Sequence, residues 1–260
     1  MVRVESGKPF LVNILVPRGA VAVLLLVVGI ALGAALGLMG FVAPRDELSG
    51  VSRDIVRLSA AQEPLTAYAP AYVSAILWDF RGTDTLFETG VVFVAVAVSL
   101  ALLKGSMPIP LSSPSPVLRT VVRIHLPVAL SVAAALALNG HVTPGGGFQG
   151  GVVAASALLI ALLSGLKAFP PGLSGMVAIR TLGLFLVMLL PLTPVALGHL
   201  YGVEGYVFQH QAKPNASLSA FYTVNGVRLS LSIPMYNSLE LAAIAAGFTI
   251  ALWMLLRGGE

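Results

Sequence analysis

The chain has 260 residues, of which 57% are hydrophobic and 10% are charged, and its formal net charge is +4. Soluble domains carry about 25% charged residues, so this composition excludes an ordinary soluble domain and predicts a polytopic membrane protein. No cysteine is present, which excludes disulfides and thiolate metal sites. The basic residues lie beside apolar runs, where they act as topology signals, so no nucleic-acid partner is expected.

Six apolar runs can each cross a bilayer about 30 Å thick. Each must be helical, because lipid offers the backbone no hydrogen-bond partner. The sequence therefore predicts an all-α polytopic membrane protein with about six transmembrane helices. The runs are Gly19 to Val42, Leu86 to Leu103, Val117 to Leu138, Gly150 to Leu166, Leu173 to Leu197 and Asn237 to Leu256.

The distribution of lysine and arginine predicts the orientation. Nine basic residues lie on the side of the termini and six on the opposite side, mostly in long loops. Both termini are therefore predicted to be cytoplasmic. The nine are Arg3, Lys8, Arg18, Lys104, Arg119, Arg123, Lys167, Arg180 and Arg257.

Two long connections lie on the predicted outer side. In residues 43–85, the segment SGVSRDIVRLSAAQEP has apolar residues at helical spacing. It predicts a helix that lies on the membrane or a neighbour, or one that is simply solvated. In residues 199–236, Asn225-Gly226 is the residue pair of a type I′ turn, which predicts a small β-hairpin within about 220–233.

Proline and serine mark an internal boundary. The segment SMPIPLSSPSP, residues 106–116, reads as a linker. It divides the chain into a two-span piece (1–105) and a four-span piece (117–260). In the fifth span, Pro191 and Pro194 predict a kink.

A glycine-rich patch, NGHVTPGGGFQGG, joins the third and fourth spans. Pro144 breaks the incoming helix, and glycine permits positive φ and close backbone approach. We expect a tight, buried re-entrant turn with Phe148 as its apolar plug and His141 as the titratable group at its edge. Because of positive φ and close packing, Gly146→Val should disrupt assembly or activity. The alternative is a packing motif without chemistry. The patch glycines are Gly140, Gly145, Gly146, Gly147, Gly150 and Gly151.

Two glutamates stand near predicted helix starts. Glu88 ends the segment TLFE and Glu240 ends NSLE, and both segments have the form of a capping box. Each glutamate either caps its helix or exchanges H⁺ and Na⁺ in an ion path, because ionisable groups at membrane depth are commonly functional.

The remaining polar residues favour structural roles. Asp79, Arg81 and Asp84 are expected to form a local ion-pair cluster, with ion transport as the weaker alternative. His125 is expected to make a polar contact within its helix or to relay protons. His199 and His210 are expected to be solvated.

The segment GHVTPGGGFQGGVVAASALLI resembles the signature of the MnhB family, the B-type component of the Mrp-type sodium/proton antiporters. The resemblance covers about residues 117–256. That family opens its last helix with an LFDIGV-like segment. Here NSLELAA occupies this position, with Glu240 in place of the aspartate.

The segment LWDFRGTDTLFETGVVFVAV resembles a different part of the same assemblies. It is similar to a V-D-F-R-x-x-D-T-L-G-E segment at the C-terminal end of the A-type component of Mrp antiporters (MrpA) and in the E-like component of membrane-bound hydrogenases. Phe87 stands where glycine is usual. About residues 19–105 therefore resemble an E-like component fused to the B-like part.

These resemblances imply a non-catalytic, multi-pass subunit in a prokaryotic cell (inner) membrane. It would contribute to cation and proton translocation, with Glu88, Glu240, His141, Asp84, Asp79 and Arg81 as candidate residues. The implied partners are antiporter-like A/D-type subunits, small C-, E-, F- and G-type subunits and lipid. In a hydrogenase-type or sulfane sulfur reductase-type complex, hydrogenase-like and iron–sulfur subunits would join them.

No resident cofactor or metal is expected in this chain, and Na⁺ and H⁺ are the expected transported ions. One alternative is a scaffold subunit with no ion path of its own. A self-sufficient transporter is disfavoured, because the two pieces show no strong inverted repeat.

Overall fold

The computed structural model describes residues 18–40, 47–60, 67–107, 113–166, 172–213 and 215–257. The described chain is mainly helical, with one small sheet. Its helices are α1 (Arg18–Leu38), α2 (Gly50–Ala60), α3 (Tyr72–Ala75), α4 (Gly82–Leu103), α5 (Pro116–Leu138), α6 (Gly147–Leu163), α7 (Leu173–Leu189), α8 (Thr193–Tyr201) and α9 (Ser232–Arg257). A π-helical turn, Ile76–Phe80, precedes α4.

The predicted fold class, an all-α polytopic membrane protein, is confirmed. Four helical segments are long and apolar enough to span a membrane: α4, α5, Leu173–Tyr201 and Ser232–Leu256. Two further apolar helical stretches, Leu26–Leu38 and Gly147–Leu163, are shorter. Helix α1 belongs to a separate compact unit, residues 1–49, and everything from Gly50 onward forms the second unit.

Helix α9 is the centre of the second unit. It packs against α4, α5, α6 and α7, and more of it is buried than of any other candidate span in the described chain. Small residues permit this packing. A Cβ added at Gly151 of α6 would lie 2.6 Å from the Cβ of Ile244, and one at Gly183 of α7 would lie 3.1 Å from the backbone N of Ala243.

Three spans begin several residues earlier than the apolar runs suggested: α6 begins at Gly147 rather than Gly150, and α4 and α9 also begin early. Helix α4 begins at Gly82 rather than Leu86, directly after the π-helical turn. Helix α9 begins at Ser232 rather than Asn237, because Ser230 Oγ accepts a hydrogen bond from the Ile233 backbone at 3.2 Å. Pro234 is tolerated there, since backbone N–H groups in the first helical turn have no intrahelical acceptor.

The predicted hairpin is confirmed. Strands β1 (Phe221–Val224) and β2 (Val227–Ser230) are antiparallel, with Val224 opposite Val227. Asn225 (φ 49°) and Gly226 (φ 81°) both have positive φ, as a type I′ turn requires. The Ser230 backbone donates a 2.7 Å hydrogen bond to the Tyr68 carbonyl, which ties the hairpin to the segment before α3.

The other predicted local features are also present. The amphipathic segment forms α2, with Val51 exposed and Ile55 and Leu58 half-buried. The fifth span contains a 3₁₀ turn, Leu190–Leu192, between α7 and α8; Pro191 lies in this turn and Pro194 lies at the start of α8. Residues 108–112 of the predicted linker lie outside the described part of the chain. Helix α5 starts after the linker, where Ser115 Oγ accepts from the Leu118 backbone at 3.1 Å.

Candidate functional site

The glycine patch forms a tight turn between α5 and α6. A Cβ added at Gly145 would lie 2.5 Å from the Leu136 carbonyl oxygen, and one at Gly150 would lie 2.6 Å from that of Ala133. Backbone therefore lies directly against backbone here, and glycine is required for this close approach. The incoming helix ends at Leu138, before Pro144, as predicted.

The expected role of positive φ is wrong. Gly146 is extended, with φ 162°, and none of the patch glycines has a backbone in the left-handed region. A Cβ at Gly146 would meet only the side chain of Gln149, at 2.6 Å from its Oε1. That amide is the end of a flexible side chain, so Gly146 is not the position where packing is most restrictive.

The glycine patch makes room for the Glu240 carboxylate. Glu240 is buried on α9, and its Oε2 accepts from the Phe148 backbone N–H at 3.1 Å. Its Oε1 accepts from the Thr89 hydroxyl at 3.1 Å. A Cβ at Gly147 would lie 2.6 Å from that Oε2, so only glycine allows the carboxylate to reach the N-terminus of α6. That terminus favours negative charge through its free N–H groups and its dipole.

Neither predicted capping box is present. Asn237 lies inside α9, where its Oδ1 accepts from the Trp78 indole at 2.7 Å and its Nδ2 donates to the Ala137 carbonyl at 3.1 Å. Thr85 lies inside α4 and donates to the Leu77 carbonyl at 2.5 Å. Both helices start further upstream, because other partners hold these polar groups: the adjacent π-helical turn holds Thr85, and residues distant in sequence hold Asn237. Glu88 and Glu240 therefore do not cap their helices.

Both glutamates line one cleft. Its volume is about 730 Å³, and its acidic residues are Asp84, Glu88 and Glu240. Glu240 lies buried in its wall, whereas Glu88 is exposed. Phe148 also lines the cleft and is 41% exposed. Phe148 thus forms part of the cleft wall rather than the predicted buried plug.

The predicted cluster of Asp79, Arg81 and Asp84 is divided in two. Arg81 and Asp84 form an exposed ion pair that lines the cleft, with Nε to Oδ2 at 2.6 Å. Asp79 instead accepts from Gln211 Nε2 at 3.1 Å and lies 4.0 Å from Lys213 Nζ. Burial raises the pKa of Asp79, and the positive charges of His210 and Lys213 offset part of that rise.

His141 lies beside the hairpin and is not among the residues that line the cleft. Its Nε2 lies 2.6 Å from the Tyr222 hydroxyl, and its ring is buried. Burial lowers the pKa of His141, and the Leu138 backbone offsets part of that effect. The structure therefore separates His141 from the two candidate glutamates.

The expectation that His210 is solvated is wrong. His210 is buried between Ser232 Oγ at 2.7 Å and the Trp78 carbonyl oxygen at 2.8 Å. Burial lowers its pKa, and Asp79 offsets part of the decrease. His199 is exposed, as expected, and His125 makes a contact within α5, with its Nδ1 3.0 Å from the Val121 carbonyl.

Arg180, one of the nine basic residues on which the predicted orientation rests, is buried two turns inside α7. Its Nη2 donates to the Phe93 carbonyl at 3.0 Å, and its guanidinium carbon lies 3.9 Å from the centre of the Phe93 ring. The sequence signal for this buried side chain was a single arginine within an otherwise apolar run.

No group of three or more histidine, cysteine or acidic side chains suited to a metal occurs among the described residues.

A bundle of apolar helices around a buried carboxylate, open to a cleft, defines a membrane-embedded protein with a polar site between its helices. The protein-family model described as "Domain related to MnhB subunit of Na+/H+ antiporter" matches residues 117–256. That range is more than half of the chain, and it contains both the glycine patch and Glu240. The chain belongs to this MnhB family.

One sequence relative is an uncharacterized protein of Methanocaldococcus jannaschii. It is 31% identical over 121 residues, which cover 38% of this chain and 46% of the relative. The match thus spans less than half the length of that relative.

Two solved structures share the fold. A chain of the membrane-bound sulfane sulfur reductase, described as an archaeal respiratory membrane complex, is 24% identical with a TM-score of 0.68, over 93% of this chain and 99% of that one. A chain of the Mrp complex from Dietzia sp. DQ12-45-1b is 22% identical with a TM-score of 0.64, over 93% of this chain and 26% of that one. At these identities, the similarity concerns the fold.

Proposed function

We propose that this protein is a membrane subunit of a multisubunit Mrp-type Na⁺/H⁺ antiporter module and that it contributes to cation and proton translocation. The observation that carries the proposal is the Glu240 carboxylate, buried in the wall of a cleft and held by Thr89 and the N-terminus of α6. A buried carboxylate at membrane depth is costly, and such groups are commonly functional.

The chemistry is the exchange of one proton for one cation on a carboxylate. The cleft is large enough for water and a partly hydrated cation, and Glu88 gives it negative charge, since the charge of Asp84 is paired with that of Arg81. The Thr89 hydroxyl and the Phe148 N–H hold Glu240 in place whether it carries a proton or faces a cation. Glu88, which is exposed, exchanges ions with the cleft before they reach Glu240.

The predicted orientation of the chain determines which face of the membrane the cleft opens toward. With both termini cytoplasmic, the turn between α5 and α6 and the start of α4 lie toward the outer face. The cleft then forms an outer half-channel that leads to Glu240. The route onward continues into neighbouring subunits.

The proposed partners are the antiporter-like A/D-type subunits and the small C-, E-, F- and G-type subunits of such modules. Exposed apolar side chains on α4, including Phe87, Val91 and Leu102, require lipid or partner helices around them. Any redox chemistry belongs to hydrogenase-like or iron–sulfur partners, and this chain is proposed to be non-catalytic.

The proposed host is either a respiratory complex of the hydrogenase or sulfane sulfur reductase type or a free-standing Mrp antiporter, and a chain of the sulfane sulfur reductase complex shares the fold. In the Mrp complex the same fold occupies about a quarter of a longer chain. Purification of the native complex tests which of the two host complexes contains this chain. Hydrogenase-like or iron–sulfur subunits would identify a respiratory complex, and antiporter-like subunits alone would identify a free-standing antiporter.

The function is tested with Glu240→Gln, which keeps the shape of the side chain and removes its charge. We expect the complex to assemble and its cation-dependent pH change in vesicles to fall at least about tenfold, which corresponds to about 1.4 kcal/mol. Glu204→Gln, at an exposed loop residue outside the residues that line the cleft, is the matched control. Wild-type exchange by assembled Glu240→Gln complex would favour the scaffold alternative.

A further inference from the structure

Thr89 of α4 has two acceptors within reach of its single hydroxyl hydrogen. Its Oγ1 lies 3.1 Å from Glu240 Oε1 and 3.0 Å from the Thr85 carbonyl oxygen, and Thr89 is buried. A threonine hydroxyl carries one hydrogen and two acceptor lone pairs. Thr89 can therefore donate to only one of these two oxygens at a time.

The contact with the Thr85 carbonyl is common for a threonine inside a helix, because such hydroxyls often donate to the carbonyl four residues earlier. Thr249 of α9 is also buried and donates in the same way to the Ala245 carbonyl at 2.6 Å. Thr89 has, in addition, a carboxylate oxygen within hydrogen-bond distance. This second contact requires a reason beyond helix geometry, and Thr249 provides a matched comparison.

The two oxygens of the Glu240 carboxyl group have different partners. Oε2 accepts from the Phe148 backbone N–H at 3.1 Å, and an N–H group can only donate. A proton on Oε2 would therefore point at another hydrogen. Oε1 faces the Thr89 hydroxyl, which can either donate or accept. A proton is thus better accommodated on Oε1 than on Oε2.

We propose that the Thr89 hydroxyl reverses its direction with each exchange at Glu240 and thereby holds the carboxyl group in both of its states. This proposal rests on the function proposed above. When the carboxylate is empty, Thr89 donates to Oε1. When Oε1 carries a proton, that proton is donated to Thr89 Oγ1, and Thr89 donates to the Thr85 carbonyl.

The same reversal allows a cation to bind. With its hydrogen turned to the Thr85 carbonyl, Thr89 Oγ1 presents lone pairs beside Glu240 Oε1, and hard cations prefer such oxygen ligands. The positive N-terminus of α6, which faces Oε2, disfavours a cation there. Na⁺ arrives at Oε1 as the proton leaves for water in the cleft, so one positive charge replaces another.

The charged groups around the site are few. The Arg81–Asp84 ion pair and Glu88 line the cleft with Glu240. Helices α5, α6 and α7 add no titratable side chain to the described lining of the cleft, and Arg180 of α7 lines a separate small cavity. Glu88 is therefore the other carboxylate whose proton uptake a pH profile of exchange would include, so the profile is also measured in a Glu88→Gln background.

The test compares Thr89→Val, which removes the hydroxyl and keeps the shape, with Thr89→Ser, which keeps the hydroxyl. The measurement is Na⁺-dependent exchange by the intact complex in vesicles over a range of pH. In Thr89→Val the empty carboxylate loses a charge-assisted hydrogen bond, which is the stronger kind, so protons compete better with Na⁺. We expect the half-saturating Na⁺ concentration to rise about tenfold and the pH of half-maximal exchange to rise by about one unit.

Two further variants serve as comparisons. Thr89→Ser should restore a half-saturating Na⁺ concentration within about twofold of wild type, because its hydroxyl can still donate and accept. Thr249→Val removes a buried hydroxyl that makes the same helical contact, and it should change neither the Na⁺ dependence nor the pH profile.

A second measurement does not depend on exchange. Infrared difference spectra of the complex between low and high pH contain the carbonyl stretch of protonated Glu240, which is identified by its absence from Glu240→Gln. In Thr89→Val the acid O–H loses its acceptor, so this stretch should move to a higher wavenumber. Thr89→Ser should leave the stretch in place.

The outcomes separate this proposal from the proposed function. If Glu240→Gln abolishes exchange and Thr89→Val changes neither the exchange profile nor the carbonyl stretch, the role of Thr89 is wrong while the function stands. If Glu240→Gln exchanges normally, the function is wrong, and the infrared shift alone decides whether the hydroxyl reverses. If Thr89→Val does not assemble, Thr89→Ser decides, because a tenfold change in a variant that keeps the hydroxyl would show that Thr89 acts by packing alone.

Discussion

Glu88 is an exposed carboxylate that lines the cleft and is not part of the Arg81–Asp84 ion pair. Its position bears on whether it belongs to the ion path or only stabilises its helix. The capping box that would explain it structurally is absent, since Thr85 donates to Leu77 and α4 begins at Gly82. Its carboxylate faces a cleft that also contains Glu240. The proposed role of Glu88 in loading ions into the cleft rests on that placement.

We predict that Glu88→Gln leaves assembly normal and lowers coupled Na⁺/H⁺ movement several-fold, because glutamine keeps the shape but cannot exchange a cation. Glu88→Asp should retain part of the activity, limited by its shorter reach. The measurement is cation-dependent pH change in vesicles that hold the intact complex. Full exchange by the Gln variant would remove Glu88 from the ion path.

Gly147 is the glycine on which the site depends most directly. A methyl group there would meet the Asn237 carbonyl oxygen of α9 most closely, and it would lie 2.6 Å from Glu240 Oε2 and 2.7 Å from Glu240 Cβ. We predict that Gly147→Ala destabilises the complex by about 1–3 kcal/mol, the usual consequence of overpacking. The measurement is thermal stability of the purified complex in detergent.

Gly146→Ala is the matched control for that substitution, because the added methyl would meet only the flexible Gln149 side chain. Its stability should remain within about 0.5 kcal/mol of wild type, as is usual for changes away from tightly packed positions. Equal losses at Gly146 and Gly147 would contradict the close packing of Gly147 against Asn237 and Glu240 of α9 as the reason for the motif.

At the scale of elements, the hairpin is attached to the helices through His141. Its Nε2 contacts the Tyr222 hydroxyl of β1, and burial lowers the pKa of the ring below its ordinary value of about 6.5. The folded state therefore binds fewer protons than the unfolded state as the pH falls below that ordinary value. Stability is full above about pH 6.5 and decreases as the pH falls toward the lowered pKa.

We predict that residues 221–230 become less protected from hydrogen exchange between pH 7.5 and pH 5.5, after correction for intrinsic exchange rates. His141→Gln cannot gain the proton and should flatten this dependence. Unchanged protection in the wild-type protein across this range would show that His141 does not control the attachment of the hairpin.

The π-helical turn Ile76–Phe80 joins α3 to α4 and contacts the residues around the site. Within this turn, the Trp78 indole donates to Asn237 Oδ1 at 2.7 Å, and the Trp78 carbonyl oxygen lies 2.8 Å from His210 Nε2. The Trp78 ring also stacks on Tyr236, with centroids 4.6 Å apart. One short turn thus fixes the start of α4 against α9, and with it the position of Glu88 relative to Glu240.

At the scale of the whole molecule, the orientation in the membrane is a prediction from basic residues. Reporter fusions at residues 60 and 215 should report the outer side, and fusions at residues 110 and 170 should report the cytoplasm. Residues 110 and 170 lie outside the described part of the chain. Reversal of all four reporters would overturn the orientation and place the cleft on the cytoplasmic side.

The two predicted pieces, residues 1–105 and 117–260, remain a prediction about the sequence. The site nevertheless lies where they meet. Thr89 and Trp78 come from the first piece, and Glu240 and Asn237 come from the second. The hydroxyl of Ser74 also donates to the Gly140 carbonyl of the glycine patch at 2.5 Å. Both pieces are therefore needed to hold Glu240.

The sequence by itself determined the features that depend on neighbouring residues. Apolar runs predicted the spans, and Asn225-Gly226 predicted the turn of the hairpin. Pro191 and Pro194 predicted a kink in the fifth span, where the 3₁₀ turn lies, and the glycine patch predicted close backbone contact. These features follow from local backbone sterics and from the burial of apolar surface, which a short window of sequence records. The MnhB resemblance likewise rested on one continuous motif.

Only the tertiary structure decided which polar groups meet. Glu240 contacts residues 92 and 151 positions away, and His210 contacts a carbonyl 132 positions away. The predictions of two capping boxes and of a solvated His210 were wrong for one reason. A polar side chain near a helix end has several possible hydrogen-bond partners. Burial against neighbouring segments selects one of them, and a short window of sequence does not record that choice.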